Sequence, residues 1–237
     1  MYFIKFKKTD IYNPNFKKQL LILWYLYVKE SRDGTINCSI KDIITYMKFS
    51  FSTCKNGTNN IFKESIQDLI NKKYIYTNND LNIAKPNSTL TFYFSKNVNN
   101  EYICFNSSSD FVMLNDMEMN KILNYYDNYT INTTLDNIVY IYLLIKSFMN
   151  ITEQSPAFCF PSIKKLETYS GFHHSTIIKI IEILQNMYLL YIYDLGKYKT
   201  VSGEIKQQTL VYTLNPINKQ LLKNNIASLK HNKIIWI

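Results

Sequence analysis

The strongest constraint on the fold comes from two segments that are apolar on nearly every side. Residues 20–28 read LLILWYLYV, and residues 138–145 read IVYIYLLI. A helix without a polar face must be surrounded by other elements, so each segment predicts a buried central helix. We expect these helices to span residues 14–30 and 135–149.

The same order of elements follows each apolar helix. Helical and alternating patterns predict a short helix, a turn, a longer helix and a β-hairpin in both halves. The first set is 40–47, 59–73 and 74–94, and the second is 163–169, 174–187 and 189–214. We expect a mainly α fold with small β-hairpin wings, in the α+β class. The predicted domains are 1–108, 109–214 and a C-terminal helix with an apolar tail, 215–237.

The positive charge is almost entirely lysine and is unevenly placed. The net charge is +9, and Arg32 is the single arginine. Residues 1–108 carry +7, residues 109–153 carry −4, and residues 154–237 carry +6. This pattern reflects either solubility and chance, or two separate elements that face a polyanion. Any phosphate-binding surface would use lysine point charges without arginine forks.

Several classes of protein are disfavoured. The longest apolar run, Ile138–Ile145, is too short to span a membrane, and the N-terminus lacks a secretory h-region, so we expect a cytoplasmic protein. The four cysteines lie far apart and indicate reduced thiols. With 5 glycines there is no phosphate-binding loop, and no catalytic arrangement is evident. The adjacent His173 and His174 cannot both face one metal, so we expect no enzyme, metal or cofactor.

The segment 160–190, FPSIKKLETYSGFHHSTIIKIIEILQNMYLL, carries the most specific pattern. Gly171 permits the positive φ of a short turn between two helices. The segment resembles the helix-turn-helix of winged-helix DNA-binding proteins, and the likeness extends over about 110–214. The resemblance implies tandem winged-helix domains, with 109–214 as the better match and 1–108 as a degenerate copy. The degenerate copy serves dimerisation or is a second DNA-contacting module, and the charge of +7 favours the second interpretation. The matching residues are Pro161, Ser162, Ile163, Leu166, Gly171, Phe172, Ser175, Thr176, Ile177, Ile181, Leu184 and Leu189.

Among winged-helix proteins, the segment is most similar to the N-terminal modules of phage replication organisers and plasmid replication initiators. It departs from the family at Tyr188, where glycine is usual, and at three apolar positions that are usually polar, Ile178, Ile183 and Met187. These three side chains pack inside the protein, form a dimer face, or, for Ile178, contact thymine methyl groups. Internal packing is the first of these interpretations.

The resemblance implies candidate DNA contacts, because the start of the second helix enters the major groove. The base-contacting candidates there are His174, Ser175, Ile178, Lys179 and Glu182. The phosphate-contacting candidates are Lys164, Lys165, Lys197, Lys199 and Lys206. In the first half, which lacks the Gly-apolar-Ser signal, the corresponding base candidates are Asn59, Asn60, Lys63 and Gln67.

Three functions remain open from the sequence. The first is a plasmid or phage replication initiator that binds origin repeats in double-stranded DNA. The second is a transcriptional regulator that binds a palindrome as a homodimer. The third is a protein-interaction module on a winged-helix scaffold. Without arginine forks for guanine, the expected DNA site is A/T-rich.

Overall fold

The chain folds into helices with small antiparallel sheets. The computed structural model describes residues 3–95, 111–152, 155–231 and 233–237. These ranges contain nine α-helices and twelve short strands in four antiparallel sheets. The expected α+β class is therefore confirmed. The predicted domain boundary in the linker 106–109 lies outside the described residues.

The chain divides into two compact units, residues 1–140 and residues 141–237. The first unit begins with a strand and a short helix and ends within helix α6. Its elements are β1 (Phe3–Lys7), α1 (Lys8–Ile11), α2 (Lys17–Lys29), β2 (Ile36–Cys38), α3 (Ile40–Tyr46), α4 (Thr58–Asn71), β3 (Ile75–Thr77), β4 (Leu90–Phe94), β5 (Phe111–Asn115) and α5 (Asp116–Asn128). The division falls inside α6 (Leu135–Ser147), between Tyr140 and Ile141.

The second unit contains the rest of α6 and the segment with the most specific sequence pattern. Its further elements are β6 (Asn150–Thr152), β7 (Ser155–Cys159), α7 (Ile163–Ser170), α8 (His174–Asn186), β8 (Tyr191–Tyr193), β9 (Lys197–Thr200), β10 (Ile205–Gln207), β11 (Val211–Thr213), α9 (Lys219–Leu229) and β12 (Ile234–Trp236). Phe158, Val211 and Leu222 belong to its hydrophobic core.

The two apolar helices are buried as the sequence predicts. In α2, residues 20–26 are at most 4% exposed, and in α6, residues 138–145 are at most 1% exposed. A short 3₁₀ turn, Pro14–Phe16, leads into α2 after Asn13, whose side chain accepts a hydrogen bond from the Asn15 amide. Each helix therefore lies at the centre of a hydrophobic core, and the shorter elements pack around it.

The predicted recurrence of elements appears in the sheets as well as in the chain order. A helix, a strand, two helices and two strands recur in the order α2-β2-α3-α4-β3-β4 and, with β6, β9 and β10 inserted, in the order α6-β7-α7-α8-β8-β11. In the first unit the strand order is β2-β4-β3. The second unit contains the matching order β7-β11-β8. In both, the last strand lies between the other two.

Three parts of the secondary structure differ from the expectation. Strand β1 pairs with β5, so that Lys5 lies opposite Met113, although neither strand was predicted. Residues 194–206, expected as the tip of a hairpin, contain β9 and the start of β10. The expected apolar tail is strand β12, which pairs with β9 in the sheet β10-β9-β12. The tail becomes ordered because Ile234 and Trp236 pack against the core of the second unit.

Candidate nucleic-acid interface

Helices α7 and α8 are joined by a tight turn whose geometry follows from its residues. The Ser162 hydroxyl caps α7 by accepting a hydrogen bond from the Lys165 amide at 3.1 Å. Gly171 ends the helix with φ of +69°, and an added Cβ there would meet no atom within 4 Å. Its backbone conformation, and not a lack of space, therefore favours glycine. His173 caps α8, and its Nδ1 accepts a hydrogen bond from the Ser175 amide at 3.4 Å.

Helix α8 has one buried face and one exposed face. Ile177, Ile180 and Leu184 are completely buried. The five residues predicted to contact bases are all exposed: His174, Ser175, Ile178, Lys179 and Glu182. Their spacing of one, three and four residues places them on a single face of the helix. Gln185 is also exposed, and it follows Ile178 by seven residues, so helical spacing could have identified it as part of this face.

The three unexpected apolar residues of this segment have different environments. Met187 is 6% exposed, and Ile183 is half-buried, so internal packing accounts for the first and partly for the second. Ile178 is 41% exposed, and internal packing does not account for it. Tyr188, which stands where the family usually has glycine, has φ of +54° and therefore adopts the left-handed conformation that favours glycine.

The two adjacent histidines lie at the start of the exposed face. Their ring centroids are 4.0 Å apart, and the rings are inclined at 46°. His174 Nδ1 lies 3.8 Å from a carboxylate oxygen of Glu167. Within the described ranges, no group of three potential ligand residues could hold a metal ion. The arrangement offers polar ring edges at a helix start.

The five lysines predicted to contact phosphates do not form one cluster. Lys164 and Lys165 are exposed on α7, and the Lys165 ammonium lies 4.5 Å from the centroid of the Phe148 ring. Lys197 and Lys199 alternate with inward-facing residues of β9 and share the outer face of that strand.

Lys206 differs from the other two lysines of the wing. It lies opposite Tyr198 in the register of β9 and β10, so it faces the other side of the sheet from Lys197 and Lys199. Its ammonium lies 2.9 Å from Glu204 in an exposed ion pair, and the hydrogen bond to this carboxylate raises the pKa of Lys206. The acid offsets the charge that Lys206 could present to a phosphate.

The four candidates of the first unit are mostly engaged in contacts within the protein. Asn59 is 6% exposed. The Asn60 amide donates to the Lys55 carbonyl at 3.0 Å, and the Lys63 ammonium donates to the Ala84 carbonyl at 2.8 Å. Gln67 alone of the four is exposed, and its amide donates to Asn71 at 3.0 Å.

The loop before α4 covers the start of the helix, where two of these side chains lie. The Thr58 hydroxyl donates to the Ser50 carbonyl and accepts from the Ser52 amide. A Cβ on Gly57 would lie 2.6 Å from the Ser52 carbonyl oxygen, so this close approach requires glycine. The loop thus folds back onto the start of α4, where Asn59 and Asn60 lie.

Comparisons with known proteins add no family assignment. No protein-family model matches the chain, and no curated protein matches it significantly. Among the described helices, none combines the length and apolar character that crossing a bilayer requires.

Proposed function

We propose that this chain is a sequence-specific double-stranded DNA-binding protein with two tandem winged-helix modules, and that it acts as a plasmid or phage replication initiator. The proposal rests above all on helix α8. Its predicted base-contacting side chains share one exposed face, while Ile177, Ile180 and Leu184 attach its other face to the core. A helix held in this way can enter a major groove without losing its own packing.

The recurring topology supports the assignment of two modules. In both units two helices precede a pair of strands, and the strand before the helices joins the same sheet. This order is the one expected of a winged helix, in which the last two strands form the wing. A chain that carries two modules suits direct repeats in DNA, since each module can occupy part of a repeat.

The contacts fall into two chemical classes. Ser175, Lys179 and Gln185 offer hydrogen-bonding groups to base edges, whereas Lys164, Lys197 and Lys199 offer charge to phosphates. Arginine is absent from both groups, so bidentate recognition of guanine by arginine is unavailable, and an A/T-rich site is favoured. In the first unit the remaining role is phosphate contact, because Asn60 and Lys63 already bind backbone carbonyls.

The test is selection of bound sequences from random duplex DNA, followed by titration of the selected duplex at rising salt. We expect a preferred sequence and a steep loss of affinity with salt, because several phosphates are neutralised. Lys179→Ala should weaken binding of the selected duplex about ten-fold. The matched control is Lys219→Ala, another exposed helical lysine of the same unit. Equal affinity for selected and random duplex would refute the proposal, and a selected palindrome would favour a regulator.

The outer face of the sheet β10-β9-β12, which carries Lys197 and Lys199, favours a second candidate, a protein-interaction module. Ile205, Ile235 and Ile237 are 60%, 72% and 67% exposed, and Ile205 and Ile235 lie on either side of Lys199. Exposed apolar side chains contribute little to phosphate binding and are more typical of protein contacts. Lys197→Ala with Lys199→Ala should weaken DNA binding if the chain is a DNA-binding protein. An unchanged affinity would favour the interaction module.

A further inference from the structure

The outer face of the sheet β2-β4-β3 in the first unit presents a pair of stacked aromatic rings. Tyr76 and Tyr93 lie directly opposite each other on β3 and β4. Their ring centroids are 4.8 Å apart and the rings are inclined at 12°. Tyr76 is 44% exposed, whereas the neighbouring residues Ile75 and Phe92 point into the core. The pair therefore offers ring surface at the outside of the sheet.

A polar groove continues from this face. Its volume is about 800 Å³, and its lining includes Lys29, Lys41, Tyr46 and Asn87. Asn37 and Thr89 connect the groove to the tyrosines: both line it, and Asn37 accepts a hydrogen bond from Thr91, which stands two residues from Tyr93. Thr89 precedes β4 directly, and the four steps along the chain from Thr89 to Tyr93 span about 13 Å.

The charge of the groove is positive. Lys29 and Lys41 are both exposed, and their ammonium groups lie 5.9 Å from the Tyr25 ring and 5.7 Å from the Phe51 ring. One carboxylate, Asp42, also lines the groove. It accepts hydrogen bonds of 2.8 Å from both the amide and the hydroxyl of Ser39, which lower the pKa of Asp42 and direct one of its oxygens toward the start of α3.

We propose that this face binds single-stranded nucleic acid, with bases stacked on Tyr76 and Tyr93 and the phosphates in the groove at Lys29 and Lys41. The groove can follow the phosphates of a single strand whose bases reach the two rings. Aromatic rings beside a positive groove match the two chemical parts of an unpaired strand, its base faces and its phosphates. A duplex keeps its base faces inside the stack, so the tyrosines favour the single strand. The site belongs to the first unit and uses no residue of α8, so it does not depend on the proposed duplex binding.

The experiment measures fluorescence anisotropy of labelled oligo(dT) and oligo(U) of about 12 nucleotides with the full chain. Tyr76→Leu should weaken binding by about five-fold or more, because it removes a stacking surface, and Tyr76→Phe should bind like the wild type. Lys29→Ala with Lys41→Ala should weaken binding and reduce the salt slope by about 1.4, as expected for two phosphates on a single strand. A preference between oligo(dU) and oligo(U), which share the base and differ in the sugar, assigns the ligand as DNA or RNA.

The matched control is Tyr129→Leu, because Tyr129 is 60% exposed and stacks on Tyr125 at 4.3 Å elsewhere in the same unit. It should leave oligonucleotide binding unchanged. Lys179→Ala should weaken duplex binding and retain oligo(dT) binding, so that failure of either proposal is visible separately. The inference is overturned if neither oligonucleotide binds, or if Tyr76→Leu and Tyr129→Leu have equal effects. It is also overturned if Tyr76→Leu changes only the oligomeric state in sedimentation velocity, since the face is then an interface between copies.

Discussion

Ile178 provides the sharpest test of the proposed base contacts, because it is an exposed apolar residue in the middle of a polar face. Its side chain is 41% exposed, and Ser175 and Glu182 lie on the same face one turn before and after it. If α8 enters the major groove, burial of this side chain is favourable only where it meets an apolar group of the DNA. The thymine C5 methyl is the apolar group that the major groove presents.

The expected magnitude follows from the exposed fraction. Ile178→Ala removes three carbon atoms, whose complete burial contributes about 2.4 kcal/mol. Only the exposed 41% of the side chain can still be buried by DNA, which leaves about 1 kcal/mol. The variant should therefore bind the selected duplex about five-fold more weakly. The free energy of unfolding should fall by about 1 kcal/mol, because the part of the side chain already buried in the fold is lost and the better helix propensity of alanine offsets only part of that loss.

The assay replaces each thymine of the selected duplex by uracil, which lacks the methyl group. At the contacted position the wild type should lose about four-fold in affinity, the value of one methyl group, and Ile178→Ala should lose almost nothing. Leu221→Ala is the control, since Leu221 is 46% exposed on α9 of the same unit. The reasoning is refuted if no thymine shows this coupling, or if Ile178→Ala binds the thymine duplex as well as the wild type does.

Three further predictions concern charge, backbone conformation and thiol exposure. Lys164→Ala should reduce the slope of log affinity against log salt by about 0.9, measured by anisotropy, because one phosphate contact is lost. Gly171→Ala should lower the free energy of unfolding by about 1 kcal/mol, owing to its φ of +69°, and Gly57→Ala by about 2 kcal/mol or more, owing to its Cβ distance of 2.6 Å from a backbone oxygen. Urea denaturation measures the free energy of unfolding of both variants. Iodoacetamide should label the exposed Cys54 and leave Cys159 unlabelled, because burial suppresses access and raises the pKa of the Cys159 thiol, and peptide mass spectrometry measures both.

The elements that the sequence predicted are those determined by short-range patterns. Helices α2 and α6 follow from continuous apolar segments, and the turn before α8 follows from Gly171. Strand β1 also carries a local signal, since Ile4 and Phe6 point inward at 7% and 0% exposure. Its partner β5 lies more than 100 residues away in the chain, and no local pattern specifies that pairing.

The C-terminal segment shows the same limit within the second unit. Residues 234–237 are apolar, which indicated that they pack against another element but did not identify that element. In the fold, Trp236 lies opposite Tyr198 on β9, and its indole N–H donates to the Lys223 carbonyl at 3.0 Å. Strand β12 pairs with β9, and β9 lies within residues 194–206, which were expected to form a loop. Two errors of prediction therefore have one cause, an unrecognised strand pair in the wing.

The exposure of the candidate residues was predictable in α8 and not in α4, although the topology around the two helices is alike. On α8 the predicted residues follow a helical face that the short Gly171 turn leaves uncovered. On α4 the same helical spacing did not predict which side chains are exposed, because the longer loop before the helix folds onto its first turn and buries Asn59. Helical periodicity describes a face, but the neighbouring loops decide whether the face is accessible.

This difference has a consequence for the two proposed modules. Asn60 and Lys63 would have to give up hydrogen bonds to backbone carbonyls before contacting a base, at a cost of about 1 kcal/mol for each bond. Such a loss is comparable with the gain from one base contact, which leaves little net discrimination between sequences. Under the proposed function, α8 would therefore carry most of the sequence specificity. The first unit would then contribute phosphate contacts and the single-strand face at Tyr76 and Tyr93.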